Sequence, residues 1–202
     1  MPPSKANTLP YNAGMPGRLV LASASPRRAE LLASAGYAFI VDPAHVDEAE
    51  RPGEAPDAYV LRVARDKARA VATRRDAGDI VLAADTTVVA DGEILAKPAD
   101  ESDAVRMLQL LAGNEHRVFT GVVVISGREE LADVVATRVR LLPLTMDDIQ
   151  WYVGTGEPLG KAGGYAIQGR AARFVDWIEG SWSNVVGLPV ATVSQMIVRV
   201  GR

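Results

Sequence analysis

The chain contains no cysteine, which excludes disulfides, thiolate metal centres and cysteine nucleophiles together. Histidine is nearly as scarce: His45 and His116 are the only two, too few for the multi-histidine ligand set of a zinc centre. Positive charge is not in excess either. A net charge of -3 argues against an extended nucleic-acid surface, which needs many uncompensated lysines and arginines, but leaves room for a local cation cluster around a small anion. No G-x-x-x-x-G-K-S/T loop, no G-x-G-x-x-G after a strand and no H-E-x-x-H occurs, so the familiar phosphate-loop, dinucleotide and zinc-protease signatures are all missing. Residues 1–17 are rich in proline and small polar residues and carry no apolar run resembling a signal-peptide core or membrane span. They read as a flexible tail ahead of one domain, residues 18–202, of a cytoplasmic protein with no membrane attachment.

What is present is ordinary globular material, 48% hydrophobic and 23% charged over 202 residues, enough for one well-buried core. The apolar run Leu19–Ala22 predicts a strand. It leads through Ser25, placed to cap, and Pro26, suited to a first helical position, into a helix that Gly36 stops. A loop over residues 42–56 precedes a long helix over 57–74 and a second buried strand over 80–84, which meets Asp85. Residues 86–90 and 93–97 read as a hairpin about Asp91-Gly92. A helix over 101–111, two long β-prone runs over 116–125 and 131–142, and a short helix capped by Thr145 follow. A glycine-rich loop over 160–169, a strand over 174–178 and a last helix opened near Pro189 complete the chain. This mixture, with an early β-α-β order, predicts an α/β fold: an elongated mixed sheet with flanking helices.

Three features break local rules, and a glycine-rich loop adds a fourth of a different kind. Arg27 and Arg28 occupy the first turn of a helix, where the free N–H groups already favour an acid. Either they are solvated surface arginines or, with the Ser23 and Ser25 hydroxyls, they assemble the donors of a phosphate site. Asp85 closes a buried apolar run, as a solvated strand end or as a carboxylate poised to act as base or metal ligand. Lys67 falls inside the apolar arc of Val60, Val63, Ala64, Ala68 and Val71, so it either snorkels from the arc's edge or aims into an anionic cleft. Gly163, Gly164 and Gly169 permit close approach, and Gln168 among them offers both donor and acceptor, as a tight turn or as a reader of a nucleobase edge. The hairpin register sets Lys97 opposite Thr86, next to Asp85. Strict alternation would turn Asp85 and Lys97 to opposite faces, so a shared site needs a twist, a bulge or a strand end.

Taken together, Leu21-Ala22-Ser23-Ala24-Ser25-Pro26-Arg27-Arg28, Ala84-Asp85-Thr86, the segment from Gly92 to Pro98, the run from Lys161 to Gly169 and Asn184-Val185-Val186-Gly187-Leu188-Pro189 resemble the Maf family in order and spacing. The resemblance implies two lobes around a cleft, a fold like that of the inosine-triphosphate pyrophosphatases, and hydrolysis of nucleoside triphosphates to monophosphate and pyrophosphate. It implies Asp85 as catalytic proton acceptor. It implies Ser23, Arg27, Arg28, Lys67 and Lys97 around the phosphates, and Glu48 with Asp85 at a divalent cation, Mg²⁺ or Mn²⁺. The dTTP/UTP branch is marked by arginine after S-x-S-P, threonine after the catalytic aspartate and glutamine in the glycine-rich loop, here Arg27, Thr86 and Gln168. The sister branch acting on 7-methyl-GTP and a non-catalytic nucleotide-binding regulator of cell division are the alternatives. The expected partner is the nucleotide, with no nucleic acid, and a homodimer stays open.

Overall fold

The computed structural model describes residues 10–12, 14, 15 and 17–201. Most of the expected tail, residues 1–9, 13 and 16, lies outside the described residues. Within its described part, the Tyr11 N–H donates to Gly36 O at 2.8 Å, and Asn12 exchanges side-chain bonds with the Ala38 backbone at 2.8 and 2.9 Å.

Seven strands form one mixed sheet. In sequence they are β1 (Leu19–Leu21), β2 (Phe39–Val41), β3 (Ile80–Ala90), β4 (Glu93–Leu95), β5 (Glu115–Ser126), β6 (Glu129–Leu141) and β7 (Val175–Glu179). The spatial order is β2-β1-β3-β5-β6-β7, with β4 attached to β3; β2, β1 and β3 run parallel and the other pairs antiparallel. The helices are α1 (Pro26–Ser34), α2 (Pro56–Ala72), α3 (Glu101–Leu111), α4 (Met146–Val153), α5 (Trp182–Val186) and α6 (Val190–Val200). No described helix is long and apolar enough to cross a membrane.

Period-two alternation along β3 decides which helix covers which face. Val81 and Ala83, with Val20, Ala22 and Val123, pack against Ala64, Ala68 and Val71 of α2. Ile80, Leu82 and Ala84, with Leu19, Leu21, Val122 and Val124, pack against Leu32 of α1 and Val193 and Ile197 of α6. The far ends of the same strands, Val88, Ala90, Val118 and Val139, belong to a different core built on α3, α4, Tyr165 and Phe174. The long strands thus run from two cores, one on each face, into a third at their far ends, and Asp85 to Thr87 lie between.

Gly121 shows how closely α2 sits on the sheet. A Cβ there would stand 2.5 Å from the Val60 carbonyl oxygen, so only glycine lets the helix backbone come this near.

Several expectations need correction. Asp85 does not end a strand; β3 continues five residues past it to Ala90 and pairs with β5 from Ile80 to Val89. Ser25 holds the N-cap position of α1, yet its side chain makes no capping bond; its N–H donates instead to Ser23 Oγ at 3.2 Å. The hairpin keeps the expected register, Ala90 opposite Glu93, but its ladder ends at Val88 and Leu95, so Lys97 is not paired with Thr86. The chain turns off the sheet there because the Ala96 carbonyl accepts from the Gly163 N–H at 3.1 Å. β2 and α5 were not anticipated at all.

Candidate active site

The edge of β3 that faces away from β5 is shared by two short neighbours. β1 pairs with Ile80–Leu82 and β4 with Val88–Ala90, leaving residues 83–87 with no strand on that side. A cleft of about 640 Å³ opens at this break, within the usual range for small-molecule sites. Because the break exposes the strand edge-on, side chains from both faces reach it. Asp85, on the α2 face with Val81 and Ala83, meets Lys67; Thr86, on the α1 face with Leu82 and Ala84, meets Arg28. The objection from strict alternation does not reach Lys97, which lies past the end of β4 and off the ladder, and the β3–β5 register has no bulge.

Every site residue implied by the resemblance, Ser23, Arg27, Arg28, Glu48, Lys67, Asp85, Thr86, Lys97 and Gln168, lines this cleft, whereas Gly163, Gly164 and Gly169 do not. Lys67 Nζ donates to Asp85 Oδ1 at 2.7 Å and pairs with Glu48 Oε1 at 2.8 Å. Asp85 and Lys67 are buried at 7% exposure each, whereas the Glu48 side chain is 44% exposed. Burial works against the Glu48 carboxylate, but the hydrogen bond and charge of Lys67, helped by Lys97 and Arg28, hold its pKa below the ordinary value. Tyr59 supports this wall: its hydroxyl donates to the Glu48 carbonyl at 3.0 Å, and burial, with Asp85 and Glu48 nearby, pushes its pKa up to about 12.

Across the strand, Arg28 is held by three bonds, Nε to Gly187 O at 2.8 Å, Nη1 to Ser23 Oγ at 3.1 Å and Nη2 to Thr86 Oγ1 at 3.1 Å. Thr86 Oγ1 shares a further bond with Thr120 Oγ1 at 2.9 Å. All three acceptors on Arg28 are neutral, so its charge is fixed in place with no direct ion pair among the described residues to cancel it, and the nearby acids acting on it are Asp85 and Glu48. Desolvation lowers the pKa of both Arg28 and Arg27, and Arg27 Nε is buried without a hydrogen-bond partner. The first turn of α1 holds no acid and no side-chain cap. Together these leave a concentrated, unspent set of anion donors. Gln168 and Lys97 are exposed at the margin of the cleft.

Sequence reasoning missed Lys161, which opens the glycine-rich loop, lines the cleft and has its pKa lowered by desolvation and by the Arg27 charge. Its place in that loop was the available signal. The Gly187 carbonyl that anchors Arg28 carries no side-chain signal.

A cleft with five cations on its walls, one of them the ammonium that holds a carboxylate pair, defines an α/β protein with a site suited to a compact polyanion. The family model described as Maf-like protein matches residues 18–200. A dTTP/UTP pyrophosphatase of Koribacter versatilis is 51% identical over 193 residues, 96% of this chain and 98% of its own. Enzymes of the same description from Anaeromyxobacter dehalogenans and Symbiobacterium thermophilum are 55% and 50% identical, over 93% and 91% of this chain and 96% and 94% of theirs. The chain belongs to the Maf family. A solved nucleoside-triphosphatase described as a dITP/XTP pyrophosphatase, from Mycobacterium abscessus, aligns with 61% of this chain and 72% of its own at 13% identity and a TM-score of 0.37, too loose a likeness to carry an argument.

Proposed function

We propose that this protein hydrolyses dTTP and UTP to the monophosphate and pyrophosphate, as the names of its relatives at 50% identity and above suggest. The observation that carries the proposal is the Glu48–Lys67–Asp85 cluster facing Arg27 and Arg28 across one cleft. Arg27, Arg28 and Lys97 surround the triphosphate oxygens and offset their charge, which is most of what phosphoryl transfer asks of a protein. Lys67 holds the Asp85 carboxylate aimed through its 2.7 Å hydrogen bond. Asp85 orients a water and takes its proton as the water oxygen bonds to the α phosphorus; the α–β bridging bond breaks and pyrophosphate leaves.

A divalent cation, Mg²⁺ or Mn²⁺, fits the donors present. Glu48 and Asp85 flank one point, held here by the Lys67 ammonium at 2.8 and 2.7 Å, and among the described residues no group of three or more acids or histidines forms. The protein would therefore give two carboxylates and leave the remaining positions to phosphate and water, the pattern small hard cations take. When bound, the cation supplies further neutralisation of phosphate charge.

Arg27, Thr86 and Gln168 set the preference for a pyrimidine. Thr86 does so indirectly, because its hydroxyl is spent on Arg28 and Thr120. The test is pyrophosphate release from dTTP, UTP, GTP, dATP and 7-methyl-GTP with Mg²⁺. The first two are expected to turn over fastest, and Asp85→Asn is expected to lower kcat by about 10²- to 10³-fold. Full activity in that variant would refute the role of Asp85, and preferential turnover of 7-methyl-GTP would refute the substrate assignment.

A further inference from the structure

Gln168 sits in a tight turn, in which the Gly169 N–H donates to the Ala166 carbonyl at 2.9 Å, and a residue outside the cleft fixes where that turn sits. The residue that does so is Glu157, in the segment between α4 and the glycine-rich loop. Its Oε1 accepts the Arg170 N–H at 2.9 Å, the Ala171 N–H at 3.4 Å and the Tyr152 hydroxyl at 2.9 Å, and its Oε2 accepts the Arg170 N–H at 3.1 Å. The Tyr152 hydroxyl in turn accepts the Ala166 N–H at 3.0 Å. The backbone on both sides of Gln168 is thus tied to one relay, Glu157 with Tyr152, and neither member lines the cleft.

The relay is rigid and specifically accommodated. Tyr152 is fully buried and meets Phe174 edge-on at 5.6 Å between ring centroids. Burial pushes its pKa upward, so the hydroxyl stays protonated and can donate to Glu157 while accepting from Ala166. The Glu157 side chain is 16% exposed. A Cβ on residue 169 would lie 2.5 Å from Glu157 Oε1, so the glycine after Gln168 is what lets the carboxylate close under the loop. Tyr152 lies near enough to Arg27, and Glu157 to Lys161, for their charges to act on one another, but neither makes a hydrogen bond to those cations, and neither side chain is needed to terminate α4, where the Gly154 N–H donates to the Gln150 carbonyl.

We infer that Glu157, acting through Tyr152, is a positioning residue for base selection: it holds the 166–170 backbone so that Gln168 meets the nucleobase. This rests on the pyrimidine-nucleotide function proposed above. A loop freed at both ends lets Gln168 sample many placements, and misplacement of a contacting group costs up to about 10²-fold.

The experiment is steady-state kinetics of Glu157→Ala, Glu157→Gln and Tyr152→Phe on dTTP and GTP, with melting curves of each. In Glu157→Ala the dTTP/GTP ratio of kcat/KM is expected to fall about tenfold, mainly through a raised KM for dTTP. Glu157→Gln retains one acceptor oxygen and is expected to recover most of the ratio. Tyr152→Phe, which keeps the buried ring, is expected to lower it in the same direction. The double variant Glu157→Ala/Gln168→Ala is expected to be no less selective than Gln168→Ala alone. Equal losses on both substrates, or additive losses in the double variant, would overturn the inference by making Glu157 a general structural residue. A wild-type protein that releases no pyrophosphate from dTTP or UTP would instead overturn the function on which it rests.

Discussion

Replacing Lys67 with methionine removes one ammonium and leaves two carboxylates facing each other with nothing between them. Lys67 sits 2.7 Å from Asp85 and 2.8 Å from Glu48, and methionine fills similar space without a charge. Breaking a buried ion pair by deleting one partner commonly costs about 3–5 kcal/mol, because the survivor is desolvated without compensation. Asp85 meets that condition, while the Glu48 side chain, 44% exposed, can turn into water and is largely screened. The lower figure, about 3 kcal/mol, therefore applies. For a chain of 202 residues, with about 2–4 °C per kcal/mol, the melting temperature should fall by roughly 6–12 °C at neutral pH. Adding Asp85→Asn to the Lys67→Met protein removes the stranded charge and should restore most of that loss while leaving the enzyme inactive. Differential scanning calorimetry of the wild type, both single variants and the double variant measures all four corners of the cycle. If Lys67→Met melts with the wild type, or if the second substitution lowers stability further, the ammonium is not what holds these carboxylates together.

Three other perturbations test separate parts of the structure. His116 is 2% exposed, and burial lowers its pKa from 6.5 to about 4. The unfolded chain therefore binds the extra proton first, and the contribution is intact above pH 6.5 and lost as pH falls toward 4, up to about 3 kcal/mol in all. Denaturant unfolding of His116→Gln should lack that part of the acid slope, and an unchanged slope would show that His116 is not its source. Gly121→Ala drives a Cβ against the Val60 carbonyl and should cost about 1–3 kcal/mol, with lower kcat because α2 carries Lys67; a melting temperature within about 1 °C of wild type would contradict the close approach. Gln168→Glu replaces the amide donor with acceptor-only oxygens and should reduce the preference for dTTP over GTP, whereas an unchanged ratio would remove Gln168 from base selection.

The site was more legible than the topology around it. Arg27, Arg28, Lys67 and Asp85 stood out because each violates a rule that acts over a few residues: cations in a helix's first turn, a lysine within an apolar arc, a carboxylate in a buried strand. The structure places all four in one cleft, and α2 buries the very arc read from its sequence, Val60, Val63, Ala64, Lys67, Ala68 and Val71. What stayed hidden depends on partners distant in sequence. β2 is three residues of a half-exposed edge, Phe39–Val41, too short for its alternation to register, and it exists because β1 offers a parallel neighbour. α5 is five residues, fixed by the Ser181 hydroxyl accepting from the Asn184 N–H and by buried Asn184 reaching Val118 O and Thr137 Oγ1. No short-range pattern announces such tertiary bonds.

The most consequential hidden feature is the break beside β3, and it explains why adjacent residues can do different work. On a fully paired strand, Asp85 and Thr86 would point into two separate layers, one beneath α2 and one beneath α1. β1 stops pairing after Leu82 and β4 begins only at Val88, so both layers open onto the same space. The α2 face then contributes Lys67, Asp85 and Tyr59, an acid-base wall, while the α1 face contributes Arg28, Ser23 and Thr86, an anion-binding wall. A β1 three residues longer would cover the edge and shut the two walls from each other. The short strand is thus part of the site, even though none of its own side chains touches the cleft.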